Sequence, residues 1–307
     1  MYLREKSFWG AFEIIRFRDA AGGNGFSLSP QRGACLLDLQ LGGRQVLDGY
    51  ADAEELKSLD WGKSALLAPF PNRLKDGRYQ VGGEEYQFPL NDVERGNALH
   101  GFVLDKPFAI EKIAEEADRV SIELSYRYSG DLPYYPFPFT LRVGYSLRGP
   151  ADFEIFMEME NTGEREIPAG MGWHPYFVAG AELDRAELQL PDADKIEVDE
   201  RMIPTGEESP FLGFRNPRPI AGASFDTGFR LAGSGPVREA FLRSGDLRLC
   251  YWQDSQFPFL QVFIPPARQS IALEPMTCNI DAFHNGEGLQ MLRPGAKLAG
   301  RAGIRRL

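Results

Sequence analysis

One carboxylate lies where a carboxylate is expensive to bury. Glu274 belongs to the apolar stretch SIALEPM, which covers residues 270–276. Burial of a charged carboxylate is costly unless the group is hydrogen-bonded or paired with a cation. Two interpretations follow: Glu274 holds a sheet together through an ion pair, or it is a general base whose pKa is tuned by its surroundings.

Two of the three histidines lie beside large aromatic residues and next to glycine or proline. His100 is found in NALHGF and His174 in GWHPYF, each at the edge of a predicted strand. This setting is typical of a ligand cleft, where an imidazole reaches toward a bound molecule, although a structural role is the commoner use of a single histidine. His284, in FHNG, is predicted to be an exposed turn residue.

Asn72 and Arg73 follow a loop with two prolines, in the segment APFPNRLKDGRY. The prolines restrict the path of the chain, and a guanidinium beside an amide can hold ligand hydroxyls through forked hydrogen bonds. The alternative for Arg73 is a solvated loop charge. Asp226 is flanked by aromatic residues in SFDTGF, and its alternative is an ordinary turn aspartate.

The elements that position these residues are predicted to be β-strands. Apolar and polar residues alternate through residues 120–128, 139–148 and 153–160, a pattern typical of antiparallel strands with one buried face. Gly82-Gly83 between residues 78–81 and 84–88 predicts a hairpin with a primed turn. Residues 51–59 predict a short helix, and 33 glycines and 22 prolines suit many turns. We therefore predict an all-β fold with few short helices, a large antiparallel β-sandwich forming a single domain over residues 1–307.

Charge and composition exclude several classes of protein. Lys plus Arg total 34 and Asp plus Glu total 44, so the formal net charge is −10. Nucleic acid or an anionic membrane would require a basic footprint, and neither is expected as a partner. The widely spaced Cys35, Cys250 and Cys278 argue against a disulfide framework and a cysteine-ligated zinc. Since the N-terminal segment lacks the apolar core of a signal peptide and no stretch is long enough to span a membrane, we expect a cytoplasmic protein.

Several short motifs, taken together, resemble the aldose 1-epimerase (galactose mutarotase) family. In the family's order they are PNRLKDGRYQVGGEEYQ, NALHGF, GWHPYF, RMIPTG, LEPMTC and GLQMLRPG, and they span residues 72–295. The chain departs from the family pattern at Phe102, at Val178 and in the Met-Thr-Cys sequence after Glu-Pro. It is therefore similar to a divergent branch of the family.

The resemblance implies a carbohydrate-binding β-sandwich, monomeric or homodimeric, that interconverts the α and β anomers of a free aldose. A small sugar is the implied partner, and the reaction needs neither a metal nor a redox cofactor. The implied site residues are Glu274 as catalytic base, His174 as general acid, His100 as second active-site histidine, and Arg73, Asn72 and Asp226 as substrate-binding residues.

The chemistry implied by the resemblance is acid–base ring opening. Glu274 as a carboxylate takes the proton of the C1 hydroxyl while His174 as an imidazolium protonates the ring oxygen, and the C1–O5 bond breaks to give the aldehyde. One well-placed acid or base contributes typically ~10²–10⁴-fold. His100 would fix the sugar's orientation near the ring oxygen. Three aromatic residues near the motifs could form either an apolar floor under the sugar or part of the core. They are Trp173, Tyr176 and Phe102.

Three other functions remain open. A hexose-6-phosphate 1-epimerase would need several convergent basic residues, of which Arg73 is the clearest near the motifs. A glycoside hydrolase would place two carboxylates across the scissile bond, with Glu274 and either Asp226 or Asp281 as candidates. A non-catalytic sugar-binding protein of the same fold would bind sugar without speeding anomerisation. A zinc hydrolase is disfavoured because no HExxH motif is present.

Overall fold

Strands dominate the computed structural model, which describes residues 2–149, 151–178 and 183–307. Within these ranges the helices are α1 (Ala53–Ser58) and α2 (Ala282–Asn285), with 3₁₀ turns at Asp60–Gly62 and Leu183–Arg185. The strands are β1 (Tyr2–Trp9), β2 (Phe12–Asp19), β3 (Gly25–Ser29), β4 (Cys35–Leu41), β5 (Arg44–Gln45), β6 (Leu66–Leu67), β7 (Arg73–Lys75), β8 (Arg78–Val81), β9 (Glu84–Gln87), β10 (Asn97–Leu99), β11 (Ala109–Glu115), β12 (Arg119–Tyr128), β13 (Phe139–Arg148), β14 (Asp152–Asn161), β15 (Ile167–Ala169), β16 (Gly172–Trp173), β17 (Tyr176–Val178), β18 (Glu187–Gln189), β19 (Ala193–Val198), β20 (Pro204–Phe211), β21 (Arg218–Pro219), β22 (Asp226–Leu231), β23 (Val237–Ser244), β24 (Leu247–Asp254), β25 (Phe259–Phe263), β26 (Ser270–Met276), β27 (Gln290–Leu292) and β28 (Lys297–Arg306).

Three larger sheets carry most of these strands. A five-stranded sheet has the order β1-β2-β3-β4-β5, and a nine-stranded sheet has the order β11-β12-β13-β14-β28-β24-β23-β18-β21. The third sheet has the order β20-β19-β22-β25-β26-β16-β6, with β17 also paired to β26. Its central neighbours pair antiparallel, as do those of the nine-stranded sheet. Two-stranded pairs, β7 with β10, β8 with β9 and β15 with β27, complete the described sheets.

The alternating stretches became strands because alternation gives each of them one apolar face. On β12, Val120, Ile122 and Leu124 are fully buried while intervening side chains are more accessible. The inner faces of all three larger sheets, with members such as Phe17, Leu141 and Val262, contribute to one continuous apolar cluster. Sheets that share one core in this way form a sandwich, so the predicted all-β, antiparallel β-sandwich is confirmed.

Local sequence signals explain the ends of the short elements. Helix α1 begins after Asp52, whose carboxylate accepts hydrogen bonds from the N–H groups of Glu54 and Glu55. It ends at Leu59, which adopts a left-handed conformation. The predicted hairpin is β8–β9. In the described ranges no helix has the length and apolarity needed to cross a bilayer.

Candidate active site

Strand β26 places Glu274 opposite a break in the neighbouring strand. Gly172 on β16 pairs with Met276, and Tyr176 on β17 pairs with Ala272. Continued across the break between β16 and β17, this register sets His174 directly opposite Glu274. Pro175, which has no N–H to donate, follows His174 at the break. The sheet therefore brings together an imidazole and a carboxyl that are 100 positions apart in sequence.

His174 and Glu274 form a buried pair with free hydrogen-bonding capacity. The Nε2 atom of His174 lies 3.4 Å from Oε1 of Glu274. The two residues are 6% and 2% exposed, respectively. Neither Nδ1 of His174 nor Oε2 of Glu274 has a hydrogen-bond partner among the described residues. Buried polar atoms without partners are rare in folded proteins, so the unsatisfied hydrogen-bonding capacity of the pair is unusual.

His100 and Asn72 hold each other through reciprocal hydrogen bonds. The N–H of His100 donates to the Asn72 carbonyl at 2.8 Å, and the N–H of Asn72 donates to Nδ1 of His100 at 3.3 Å. Because Nδ1 accepts this bond, a neutral His100 carries its proton on Nε2. Gly101 is required here, since a Cβ at this position would lie 2.0 Å from the Ala68 carbonyl oxygen. The His100 and His174 rings meet edge to face with centroids 5.3 Å apart.

Arg73 is a buried, oriented cation rather than a solvated loop charge. It is 8% exposed and begins β7. Its Nε donates to Asp92 at 2.8 Å, and its Nη1 donates to the Asn72 side chain at 3.3 Å. Asp92 also accepts a longer hydrogen bond from Arg95, at 3.4 Å. One carboxylate thus faces two guanidinium groups, and Arg73 keeps hydrogen-bonding capacity for a ligand.

Asp226 is a strand residue, not a turn residue, and Gln261 holds it. Asp226 begins β22, and its Oδ1 accepts a hydrogen bond from the Gln261 amide at 2.8 Å. Gln261 is 2% exposed, pairs with Glu274 across β25 and β26, and has no partner for its Oε1 in the described ranges. Sequence reasoning missed Gln261, although the sign that pointed to Glu274, a polar residue inside an apolar strand, applies to it as well.

One open cavity of about 860 Å³ is lined by all six predicted site residues: Glu274, His174, His100, Arg73, Asn72 and Asp226. Of the aromatic candidates, only Tyr176 lines it. Trp173 and Phe102 belong instead to the apolar core. Trp61 and Phe263, which the sequence did not single out, form part of the cavity wall.

Burial favours the uncharged form of the acid–base groups in this cavity. Desolvation raises the pKa of Glu274 well above its ordinary value, and the nearby Asp226 charge raises it further, against the opposite effect of Arg73. Desolvation lowers the pKa of His174 to about 3. It also lowers the pKa of His100, with smaller contributions from His174 and Arg73. Both shifts favour the neutral Glu274–His174 pair over the carboxylate–imidazolium pair that the resemblance implies for the reaction.

His284 and Asp281 do not line the cavity, but Asp281 contacts a strand that does. His284 belongs to α2 rather than to a free turn, with its side chain 41% exposed and its Nδ1 2.7 Å from Asp281 Oδ1. The same Oδ1 accepts a hydrogen bond from the Lys75 N–H at 2.8 Å, and the N–H of Asp281 donates to the Arg73 carbonyl at 2.8 Å. Asp281 thus anchors the strand that carries Arg73. Across the described residues, no three His, Cys, Asp or Glu side chains converge as a set of metal ligands.

Known proteins resemble this chain in fold and sequence. A galactose mutarotase-like protein of Clostridium acetobutylicum superposes with a TM-score of 0.87, at 21% identity over 100% of this chain and 99% of its own. The galactose 1-epimerase of Lactobacillus acidophilus superposes with a TM-score of 0.85, at 18% identity over 100% and 98% of the two chains. These superpositions show a shared fold.

Sequence comparison identifies the family. The uncharacterized protein YihR of Escherichia coli is 29% identical over 79% of this chain and 78% of its own length. Human galactose mutarotase is 26% identical over 55% of this chain, and the match spans 48% of that protein. The family model described as aldose 1-epimerase matches residues 22–305. The chain therefore belongs to the aldose 1-epimerase family.

Proposed function

We propose that the protein is a mutarotase, which interconverts the α and β anomers of a free aldose by opening and closing the sugar ring. The observation that carries the proposal is the buried Glu274–His174 pair, 3.4 Å apart on the wall of an open cavity. An acid and a base at this separation can serve the C1 hydroxyl and the ring oxygen of the same pyranose. Family membership supports an isomerase of this type.

The proposed reaction moves two protons and breaks one bond. Glu274 as a carboxylate removes the C1 hydroxyl proton, His174 as an imidazolium protonates the ring oxygen, and the C1–O5 bond breaks to give the open-chain aldehyde. Rotation about C1–C2 presents the other face of the carbonyl, and the proton transfers reverse as the ring closes. The enzyme returns to its starting state, and no oxidant, reductant or third proton is consumed.

The electrostatics of the pair suit this sequence of steps. The ion pair and the neutral pair contain the same number of protons, so one proton transfer between Glu274 and His174 converts one state to the other. Ring opening turns the ion pair into the neutral pair, which is the form that burial favours. Forming the ion pair in the buried site has a desolvation cost that is part of the barrier, and the opening step returns the pair to the neutral form. The titration of such a pair belongs to both groups together.

The other cavity residues are assigned to binding and orientation. His100, with its proton on Nε2, would donate to the ring oxygen region. Arg73 and Asn72 would hold hydroxyls, since the guanidinium is already oriented by Asp92. Asp226, positioned by Gln261, would accept a hydrogen bond from a further hydroxyl. Groups fixed before the substrate arrives lose little entropy when it binds.

A hexose-6-phosphate epimerase is the second candidate, because three arginines line the cavity: Arg73, Arg95 and Arg268. Carboxylates of the protein itself largely neutralise these three positive charges. Arg73 and Arg95 share Asp92, and Arg268 pairs with Asp184. A phosphate would have to compete with these carboxylates, so an unphosphorylated aldose is the favoured substrate.

The direct test follows freshly dissolved α-anomers of hexoses and pentoses by polarimetry or NMR, with and without the protein. Faster equilibration of at least one unphosphorylated aldose is expected, without added metal or nicotinamide. Equal rates with and without protein across the panel would refute the proposal. Activity restricted to 6-phosphorylated sugars would select the second candidate, and release of a reducing end from a glycoside would indicate a hydrolase.

A further inference from the structure

An aromatic wall runs from the acid–base pair to the mouth of the cavity. The Tyr176 ring stacks on the His174 imidazole with centroids 4.9 Å apart and planes 9° apart. Phe263 meets Tyr176 edge to face at 6.4 Å. Trp61 stacks on Phe263 at 6.0 Å, with planes 24° apart. All four side chains line the same cavity, so the wall is one surface that starts at the reacting groups.

Trp61 is the most exposed member of this wall. His174 is 6% exposed, whereas Trp61 is 53% exposed. Trp173 and Trp252 are buried and Trp9 is partly buried, so Trp61 is the most exposed of the four tryptophans. A large apolar side chain left in water inside a ligand cavity marks a contact surface more often than an isolated surface residue does.

The backbone holds Trp61 in a defined position. The residue lies in the Asp60–Gly62 turn with φ 63° and ψ 1°, a left-handed conformation that is strained for a residue other than glycine. Its carbonyl accepts a hydrogen bond from the Tyr176 hydroxyl at 2.9 Å. The backbone at Gly62 lies close to His174: a Cβ at this position would be 3.7 Å from the imidazole Cδ2. The backbone of Trp61 is therefore anchored to the residues beside the acid–base pair.

We propose that Trp61 and Phe263 form a subsite for a second sugar ring, so that the substrates this site favours are aldoses with a glycosyl substituent, as in reducing disaccharides. The inference rests on the proposed mutarotase function. C1 of the reacting ring must reach the buried Glu274–His174 pair, so a glycosyl group on the far side of that ring extends toward the mouth. There the C–H face of the second ring would pack on the stacked aromatic pair. The cavity has a volume of about 860 Å³, near the upper end of the 300–1,000 Å³ range of ligand pockets. This volume is larger than one pyranose ring occupies.

The test compares sugars that share one reducing end. Values of kcat/KM for anomerisation are measured by NMR exchange for glucose, maltose, lactose and melibiose, with wild type, Trp61→Ala, Trp61→Phe and the control Phe8→Ala. Phe8 is 62% exposed and lies on β1, outside the cavity. Wild type is expected to prefer at least one disaccharide to glucose. Trp61→Ala should lower that disaccharide-to-glucose ratio about three- to tenfold, the range of an aromatic contact, whereas Trp61→Phe should retain most of it and Phe8→Ala all of it.

If Trp61→Ala lowered kcat/KM equally for glucose and the disaccharides, the proposed subsite would be overturned, because Trp61 would then contact only the reacting ring. The absence of any disaccharide preference in wild type would overturn it as well. Calorimetric titration with maltose, lactose, melibiose and glucose separates this inference from the proposed function, since it needs no turnover. Tighter disaccharide binding that depends on Trp61 supports the subsite even if no sugar is anomerised. Equal affinities refute it, and melting temperatures verify that each variant is folded.

Discussion

Replacement of Glu274 by glutamine should remove the catalytic base without weakening the fold. The amide retains the size of the side chain but cannot accept the C1 hydroxyl proton at neutral pH. Loss of a general base costs about 10²–10⁴ in kcat, which corresponds to about 3–5 kcal/mol in the activation barrier at about 1.36 kcal/mol per decade. Sugar binding should persist, because Arg73, Asn72 and Asp226 are unchanged.

The sign of the stability effect follows from the pKa of Glu274. Burial raises this pKa well above its ordinary value of 4.5 in the folded protein. Above pH 4.5 the unfolded chain therefore binds fewer protons than the folded one, and stability falls as the pH rises toward the folded-state pKa. Each unit of pKa shift corresponds to about 1.36 kcal/mol. Glutamine has no such penalty, so Glu274→Gln should be at least as stable as wild type at neutral pH, and its relative stability should decline toward pH 4.5.

The assay measures melting temperature at pH 5 and pH 7.5 and mutarotation rate on the same samples. Glu123→Gln is the matched control, because Glu123 is an exposed carboxylate on β12 outside the cavity. It should change neither quantity appreciably. If Glu274 only held the sheet together through an ion pair, its glutamine variant would lose several kcal/mol of stability and keep its rate per folded molecule. That result would refute the assignment of Glu274 as the base.

Three further outcomes are expected. Arg73→Ala should raise KM more than it lowers kcat in steady-state assays, because hydroxyl contacts remote from C1 stabilise ground and transition states nearly equally; a fall in kcat at constant KM would contradict this. The acid limb of the pH profile of kcat/KM should lie well below pH 6.5, because burial lowers the pKa of His174 to about 3; a limb near 6.5 would refute the neutral resting pair. Asp281→Ala should raise KM because Asp281 anchors the strand of Arg73, and Asp281→Asn, which keeps an acceptor for the Lys75 N–H, should recover most of the lost affinity.

Local patterns in the sequence were sufficient for the fold class. The strands around residues 120–128, 139–148 and 153–160 are long and strictly alternating, and each formed within a residue or two of its predicted bounds. Short motifs likewise singled out the six residues that the fold collects in one cavity. Both predictions depend on information that lies within a few positions of each residue.

Other properties of the site depend on contacts that no local pattern encodes. The register that sets His174 opposite Glu274 spans two strands far apart in sequence, and the protonation of the pair depends on its burial. Burial favours the neutral form of both groups, and no motif around either residue encodes that burial. The sequence did not predict a site role for Trp61, because that role depends on its stacking on Phe263. Trp173 was a candidate for the floor under the sugar only because it lies next to His174 in the chain, and it is buried in the core.

The position of β28 in the nine-stranded sheet has a consequence for the order in which the protein folds. This strand, Lys297–Arg306, lies between β14 and β24 and pairs with both. Until it is synthesised, the sheet exists as two halves, each with an open edge that can pair with another chain. The pairing of β14 with β28 also closes a loop of well over a hundred residues, which is a slow step in folding. A chain that ended before Lys297 would thus be prone to aggregation, although it would contain all the cavity residues.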